Sequence, residues 1–404
     1  MIKTEELKQI ITDNKDTIAF IIGNGIHNYL HCKYKGIYPC KTWKEVLEYL
    51  WRHFTKKPLP LFVNCIFEND ISNTEFFNLL EIEYLSYIDA DNEKKSYLQK
   101  LMEFNHGKTY HLKTHNELKY IDNKLVQQMV NEKRHSEIAN IKESLDVFIQ
   151  SISKEFGFKN DSLKDKLDAI ACISCVMGDK KMYNFLLEPI KKEIAKSFRA
   201  YKYLPEITNI VNKIKNIDAP ILTTNYDTVL SESIGIERDD IKSFGSKIKD
   251  EWFSYYGNYI DNPTSGFGIW HIHGIHTNHK SISIGNTDYM KNVYFSNLLL
   301  PNSDINLVDL TYDNWNGFNS WLNIFFNKDL FVFGLGLNND ETFLRWLFIK
   351  RKEYSILSRK NLKSWYITKS SENISCAKRY FLESVGFEIV YIQDWDVLYE
   401  KIWE

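Results

Sequence analysis

Residues 17–27 read TIAFIIGNGIH: a short apolar run, rich in branched side chains, that leads directly into Gly-Asn-Gly. Such a run before a glycine is typical of a strand that is buried on both faces, as in a parallel sheet. Glycines at this position let the backbone approach a phosphate, and the N-terminus of a following helix offers N–H donors to it. The third glycine of the usual turn is absent, because position 28 is Asn. The stretch therefore predicts the first strand and a candidate phosphate-binding turn of an α/β fold.

The next strand pattern comes only at residues 219–224, roughly 200 residues farther on, whereas a crossover between parallel strands usually takes ~10–30 residues. The interval carries apolar residues at three- and four-residue spacings, which is the pattern of amphipathic helices. These patterns cover residues 43–51, 76–87, 97–104, 116–149 and 163–214. We therefore predict a Rossmann-like domain formed by residues 1–41 and 217–404, with a helical insertion subdomain at residues 42–216.

After residue 219, strand patterns alternate with helical patterns, which favours a doubly wound, mostly parallel sheet. Further strands are predicted at 268–272, 281–284, 330–334, 364–368 and 388–392, and helices at 314–326, 341–352, 374–385 and 395–403. The predicted fold is thus an α/β Rossmann-like domain with a large helical insertion.

The composition is that of a globular protein, with 44% hydrophobic and 26% charged residues. A net charge of −2 gives no electrostatic reason to expect nucleic-acid binding, and the basic residues between 180 and 215 are interpreted as a solvated helix face. No apolar stretch approaches the ~20 residues of a membrane span, and no secretion signal is recognised. We expect a cytoplasmic protein with reduced thiols, in which the Cys172-x-x-Cys175 pair packs in a helical core and binds no zinc.

A first polar motif, TTNYD at residues 223–227, follows the second predicted strand. Ligands of open α/β sheets bind at the carboxyl ends of the strands, so Asn225 and Asp227 are placed where chemistry on a bound molecule would occur. An alternative is that Asp227 or Thr224 caps the following helix. Capping explains one polar residue but not the whole run, so we favour a functional role for the motif.

A second polar motif, HIHG at residues 271–274, lies on another predicted strand. His271 and His273 are two apart and share one face of an extended segment. Both could face a cleft, or the chain could turn between them and leave only one there. We expect Gly274 to leave space beside His273 for a substrate, which favours His273 as the working residue. His276 and His279 follow closely, but the carboxylate or cysteine ligands and the ordered spacing of a metal site are missing, so no metal site is predicted.

A second glycine-containing turn, GLG at residues 334–336, follows the strand pattern at 330–334. Its backbone N–H groups would bind another part of the same ligand. Asp340 is interpreted as the cap of the next helix. The sequence therefore places two glycine turns beside the two polar motifs.

In this order and spacing the motifs resemble the sirtuin-like NAD-binding family, in particular its bacterial anti-phage-defence branch. The resemblance covers residues 15–48 and 218–400. GNGIH at 23–27 resembles the first nucleotide loop of that family, and GLG at 334–336 resembles its third nucleotide loop. TTNYD resembles the family's Asn-x-Asp motif, and His273-Gly274 resembles its His-Gly motif. Trp43 resembles a tryptophan common after the first loop, and DWDVL at 394–398 resembles an acidic segment near the adenine contact.

The resemblance implies roles for individual residues. Asn225 would hold the attacking water or the ribose hydroxyls, Asp227 would bind the carboxamide of nicotinamide, and His273 would act as general base or stabilise a ribose hydroxyl. The implied NAD-binding residues are Gly23, Asn24, Gly25, Ile26, Thr224, Gly334, Leu335, Gly336 and Trp395.

The sequence departs from the protein-deacylating members of that family. These carry a four-cysteine zinc ribbon after the His-Gly motif, and no cysteine occurs here between Cys175 and Cys376. The Phe-Arg pair that follows their first loop is absent as well. The chain therefore resembles the NAD glycohydrolases of the defence branch, which split NAD+ into nicotinamide and ADP-ribose as abortive-infection effectors and need no metal.

Other interpretations stay open: an NAD-dependent protein deacylase, a non-catalytic sensor of NAD or an ADP-ribose derivative, and a Rossmann oxidoreductase. Because constant NAD+ destruction would kill the host, control is expected. In the family this comes from oligomerisation, a nucleotide signal or a partner such as a hexameric ATPase/translocase. We expect a homo-oligomer regulated by a separate protein, with the aromatic-rich helical insertion as a candidate assembly surface.

Overall fold

The structure, a computed structural model, describes residues 2–40, 42–57, 73–90, 180–244, 255–258, 260, 262–300, 315, 317–339 and 341–404. Its contacts divide the chain into two compact units. The first, called the sheet unit below, comprises Met1–Leu80 and Ile190–Glu404, and the second comprises Glu81–Pro189.

The strands are β1 (Ile18–Ile22), β2 (Ile221–Thr223), β3 (Ile241–Phe244), β4 (Tyr255–Asn258), β5 (Ile269–His271), β6 (Asp329–Phe333), β7 (Ser364–Lys369) and β8 (Glu388–Ile392). The helices are α1 (Thr4–Asp13), α2 (Gly25–Lys33), α3 (Trp43–Thr55), α4 (Asn73–Ala90), α5 (Lys180–Phe198), α6 (Pro205–Asn216), α7 (Val229–Glu232), α8 (Gly285–Leu299), α9 (Trp321–Asn327), α10 (Thr342–Leu357), α11 (Cys376–Ser384) and α12 (Trp395–Tyr399). Short 3₁₀ helices cover Arg238–Asp240, His279–Ser281 and Lys401–Trp403.

The eight strands form one sheet in the order β3-β4-β5-β2-β1-β6-β7-β8. Strands β5, β2, β1, β6, β7 and β8 are parallel, while β4 pairs antiparallel with both β3 and β5. The six parallel strands, taken in chain order, have the 3-2-1-4-5-6 arrangement of a doubly wound nucleotide-binding fold. The predicted mostly parallel, Rossmann-like sheet is therefore confirmed.

The central strand β1 explains why its sequence is apolar throughout. All five of its residues are buried, and it pairs with β2 on one side and with β6 on the other. A strand covered on both faces and both edges has no position for a polar side chain. The chain passes from one side of β1 to the other between β5 and β6, which makes the carboxyl end of β1 the topological switch point.

The strand register brings the ends of four strands together. Ile22 of β1 lies beside Thr223 of β2 and Phe333 of β6, and Thr223 lies beside His271 of β5. The two glycine turns and the two polar motifs therefore leave the sheet at the same level, on the same edge.

One predicted strand is wrong. Residues 281–284 are not a strand: Ser281 ends a 3₁₀ helix, and the segment then leads into α8. The N–H of Ser283 donates to the carbonyl of His273 (2.9 Å), and the N–H of Ile284 donates to the Asp288 carboxylate (2.9 Å). The alternating apolar pattern arises because Ile282 and Ile284 are buried in this connection, not because they belong to a sheet.

Several predictions remain untested by the described residues. The helical patterns at 97–104 and 116–149 and the Cys172-x-x-Cys175 run lie outside them. The boundaries of the insertion at 42–216 stay a prediction. Within the described ranges, no helix combines the length and apolar character needed to cross a membrane.

Candidate active site

A cavity of about 590 Å³ opens at the carboxyl ends of β1, β2, β5 and β6. All of its lining residues belong to the sheet unit. This is the place where an open α/β sheet with this strand order binds a nucleotide. The volume lies within the range of small-molecule sites, roughly 300–1,000 Å³.

Most of the residues singled out in the sequence line this cavity: Asn24, Gly25, Thr224, Asn225, Asp227, His273, Gly334, Leu335, Gly336 and Trp395. Gly23 and Ile26 do not line it; Gly23 lies directly behind the wall, where its carbonyl accepts from Asn225, and Ile26 is buried. Trp43 is also part of the wall. His271 is not, because it is buried behind the turn with its Nδ1 3.1 Å from the carbonyl of Asn225.

Asn225 is held by the turn that follows β2. Its backbone N–H donates to Thr223 Oγ1 (3.1 Å), and that hydroxyl donates to the carbonyl of Ile22 (3.0 Å). The Asn225 side-chain amide donates to the carbonyl of Gly23 (3.4 Å). These bonds join the ends of β1 and β2, so the amide of Asn225 is fixed in the cavity wall.

Asp227 makes a buried contact with a histidine of α2. Its Oδ2 lies 3.0 Å from His27 Nε2, and the two side chains are 2% and 1% exposed. Oδ1 accepts from the backbone N–H of Val229 (3.0 Å) at the start of α7. Burial alone would raise the pKa of Asp227, but His27 and the Val229 N–H outweigh it and hold that pKa below its usual range.

The sequence did not indicate His27 as the partner of Asp227, although His27 ends the TIAFIIGNGIH segment of the first strand and turn. Both ring nitrogens of His27 are used, since Nδ1 lies 2.9 Å from the hydroxyl of Tyr38. Asp227 is therefore a carboxylate fixed by α2, and it also accepts from the first N–H of the helix after the motif, that of Val229. Asp227 lines the cavity, and the N-cap position of α7 belongs to the next residue, Thr228.

His273 contacts a carboxylate that the sequence analysis missed. Its Nε2 lies 3.2 Å from Glu341 Oε2, and Glu341 lines the same cavity. The rings of Tyr289 and Phe343 flank the imidazole, with centroids 5.6 and 6.3 Å away. Glu341 is the N-cap residue of α10, five residues after the second glycine turn, and this position was its only signal in the sequence.

Gly274 does not leave space beside His273 as expected. Its φ is +90°, and a Cβ built there would lie 2.0 Å from the carbonyl oxygen of Ser281. The backbone that follows the motif thus packs directly on Gly274. The glycine is required by the turn and by this close approach.

The two glycine turns pack against each other. A Cβ at Gly23 would lie 2.4 Å from the carbonyl oxygen of Gly334, and one at Gly25 would lie 2.5 Å from Gly334 Cα. The N–H of Gly25 donates to the Gly334 carbonyl (2.8 Å), and the N–H of Gly23 donates to Phe333 (3.1 Å). These two N–H groups therefore join the turns to each other, while Asn24 and the start of α2 face the cavity.

A lysine lies at the end of the cavity beside the second glycine turn. Lys378 Nζ donates to the carbonyl of Gly336 and lies 3.0 Å from the hydroxyl of Tyr366, which itself donates to Leu335 (2.8 Å). Burial lowers the pKa of Lys378 from its ordinary value. Lys378, Tyr366 and Glu372 line the cavity, as Trp395 does, and none of the three was singled out in the sequence.

Among the described residues, no group of three or more His, Cys, Asp and Glu side chains is arranged to hold a metal ion. No curated protein matches the chain. The family model of the SIR2-like domain matches residues 219–390, a segment that includes Asn225, Asp227, His273 and the second glycine turn. A SIR2-like domain implies NAD+ binding and an NAD-related function, and the family suggests an enzyme that uses NAD. The matched segment lies within the sheet unit, which has the Rossmann strand order, so this part of the chain is sirtuin-like.

Proposed function

We propose that the protein is an NAD+ glycohydrolase, which cleaves NAD+ to nicotinamide and ADP-ribose. The observation that carries the proposal is the convergence of Asn225, Asp227 and His273 on one cavity of about 590 Å³ at the switch point of the sheet. Two sides of the cavity are glycine turns, and its wall includes Asn24 and the start of α2, where the positive end of the helix dipole favours a bound anion such as a diphosphate.

The chemistry requires little more than this set of side chains. The oxygen of water bonds to the ribose C1′ while the C1′–N bond to nicotinamide breaks, and the electron pair of that bond neutralises the pyridinium nitrogen. The transition state is oxocarbenium-like, as in other glycoside cleavages. Asn225 would hold the water or the ribose hydroxyls, Asp227 would face the carboxamide, and His273 would take the proton that water loses.

Hydrolysis is favoured over protein deacylation because the sequence has no cysteine between Cys175 and Cys376. The four-cysteine zinc ribbon that the deacylases carry after the His-Gly motif therefore cannot form in this part of the chain. By resemblance, the cleavage would serve bacterial anti-phage defence by abortive infection.

The test is to incubate the purified protein with NAD+ and to follow nicotinamide release. We expect release without any acylated peptide, and we expect Asn225→Ala and His273→Ala each to abolish turnover while the protein stays folded. Because general-base catalysis alone contributes ~10²–10⁴-fold to a rate, we expect the rate of nicotinamide release to fall at least ~10²-fold in His273→Ala. Asn297→Ala, on the exposed side of α8, is the matched control and should keep the wild-type rate.

The outcomes separate the alternatives. Release that depends on an acylated peptide would identify a deacylase, and hydride transfer to a second substrate would identify a dehydrogenase. Binding of NAD+ without turnover, even with partner proteins and phage triggers present, would identify a sensor. Wild-type activity in both cavity variants would contradict the site assignment.

A further inference from the structure

The charged side chains of the cavity wall are mostly acidic. Among the described residues that line the cavity, Asp227, Glu341 and Glu372 carry carboxylates, and Lys378 is the only lysine or arginine. Lys378 lies beside the second glycine turn, because its Nζ donates to the carbonyl of Gly336. A negatively charged ligand in this cavity therefore has one lysine to pair with, and that lysine is at the second glycine turn.

The ammonium of Lys378 is half-buried and has no counter-ion among the described residues. Its Nζ donates only to uncharged groups there, the carbonyl of Gly336 and, at 3.0 Å, the hydroxyl of Tyr366. An ammonium has one more N–H donor than these two contacts use. Burial is the main cause of the lowered pKa of Lys378, and the nearby charges of Glu372 and Arg345 act on that pKa in opposite directions. Because charges removed from water are normally paired, this lysine is suited to binding an anion.

The second glycine turn directs its carbonyls away from a ligand. The carbonyls of residues 335, 336 and 337 accept, in that order, from the side chains of Tyr366 (2.8 Å), Lys378 and Arg345 (3.1 Å). No described hydrogen bond has a backbone N–H of residues 335–337 as its donor. These residues line the cavity, and successive N–H groups without an acceptor are a common way to bind an anion.

We propose that Lys378 binds the diphosphate of the nucleotide, together with the backbone N–H groups of residues 335–337. The inference rests on the NAD+ glycohydrolase function proposed above and assigns a residue that holds its substrate. Lysine is a common phosphate ligand, and it acts as a point charge. The Glu372 carboxylate, which also lines the cavity, suits a ribose hydroxyl and repels a further phosphate, so the diphosphate is favoured over a 2′-phosphate as the group that Lys378 binds.

The test measures the binding of ADP-ribose, which carries the diphosphate and requires no hydrolysis, by calorimetry on the whole chain. We expect the Kd to rise about tenfold or more in Lys378→Met, because hydrogen bonds from charged groups to phosphate are among the strong ones. Lys378→Gln keeps a donor for the Gly336 carbonyl but loses the charge, so it should weaken binding too. It decides the question if Lys378→Met does not fold. The control is Lys350→Met on α10, where the lysine pairs with Glu353 at the surface, and it should bind as the wild type does.

Salt separates a phosphate contact from a purely structural role of the lysine. Because salt screens charge pairs, the affinity of the wild-type protein for ADP-ribose should fall as the salt concentration rises, and that of Lys378→Gln should fall less steeply. Equal affinities, or equal salt dependences, in the two proteins would overturn the proposal. So would a loss confined to a ligand that carries a 2′-phosphate, since Lys378 would then bind the adenosine ribose.

The binding measurements also separate this inference from the proposed function. If ADP-ribose binds through Lys378 but the wild-type protein releases no nicotinamide from NAD+, the proposed hydrolysis fails and the diphosphate site stands. If nicotinamide is released but ADP-ribose binding does not depend on Lys378, the hydrolysis stands and the diphosphate assignment is wrong. A wild-type protein that does not bind ADP-ribose overturns the assignment as well.

Discussion

At the scale of single residues, the site is built from histidines whose environments differ. His273 faces a carboxylate on the cavity wall, His27 is enclosed between Asp227 and Tyr38, and His271 and His276 lie in the buried turn behind the wall. The two-residue spacing predicts that His271 and His273 share one face. The structure places only His273 in the cavity wall, because β5 ends at His271 and the chain turns after it.

The buried histidines make stability depend on acidity. Burial lowers the pKa of His271, and burial together with Arg238 lowers that of His276 to about 4. Unfolded histidine takes up a proton near pH 6.5, so below that pH the unfolded state binds more protons than the folded state. Stability is therefore complete above pH 6.5 and is lost progressively as the pH falls towards about 4, by at most ~1.4 kcal/mol per pH unit for each histidine.

The measurement is the free energy of unfolding in urea at several pH values between about 7 and 5. We expect the wild-type value to fall with acidification and the slope to be smaller in His276→Asn, because the variant loses one of the two titrating groups. Equal slopes in the two proteins would exclude His276 as a source of the acid sensitivity.

At the scale of secondary-structure elements, the cavity depends on the contact between the turns after β1 and β6. Strands β1 and β6 pair in parallel through five pairs of residues, from Ile18↔Asp329 to Ile22↔Phe333. Beyond the last pair the chain continues in contact, with Gly25 N–H bonded to the Gly334 carbonyl. Gly334 has a φ of +66°, which a side chain rarely adopts. The glycines are required because two backbones meet there.

This packing predicts that Gly25→Ala destabilises the protein and lowers nicotinamide release. Its methyl group would lie 2.5 Å from Gly334 Cα and 2.9 Å from the hydroxyl of Tyr399, so backbone must move. Overpacking of this kind costs about 1–3 kcal/mol. Gly336→Ala is the control for stability, because its nearest neighbour is the Asn338 side chain at 3.4 Å. A Gly25→Ala variant as stable as Gly336→Ala in urea would contradict the argument.

Some strands of the sheet could be predicted from the sequence, and others could not. Strands β1, β2, β5 and β6 were foreseen because each is a short apolar run that ends at a glycine or a polar motif. The antiparallel pair β3 and β4 was not, because its sequences IKSF and YYGN have no apolar run or alternation. The contact of His273 with Glu341 spans 68 residues and depends on the order of the strands, which no local pattern contains.

At the scale of the whole molecule, every residue that lines the cavity comes from the sheet unit of a single chain. The described lining of the candidate site therefore comes from one chain, and the NAD+ hydrolysis proposed for this site calls for control. An enzyme of this kind left uncontrolled would drain the cell in which it is made. Assembly with further copies of the chain, or with a separate regulatory protein, is the form of control that we propose.

The assembly proposal predicts that the protein is a homo-oligomer whose activity depends on its assembly. Light scattering should give a mass that is a multiple of 47.8 kDa. Nicotinamide release per chain should change when the protein is diluted through the range in which the oligomer dissociates, because the regulated state is then lost by mass action. The two measurements must be made on the same samples, so that rate and mass are compared at each concentration. A monodisperse monomer that is fully active at every concentration would contradict regulation by self-assembly, and control would then rest with a separate protein.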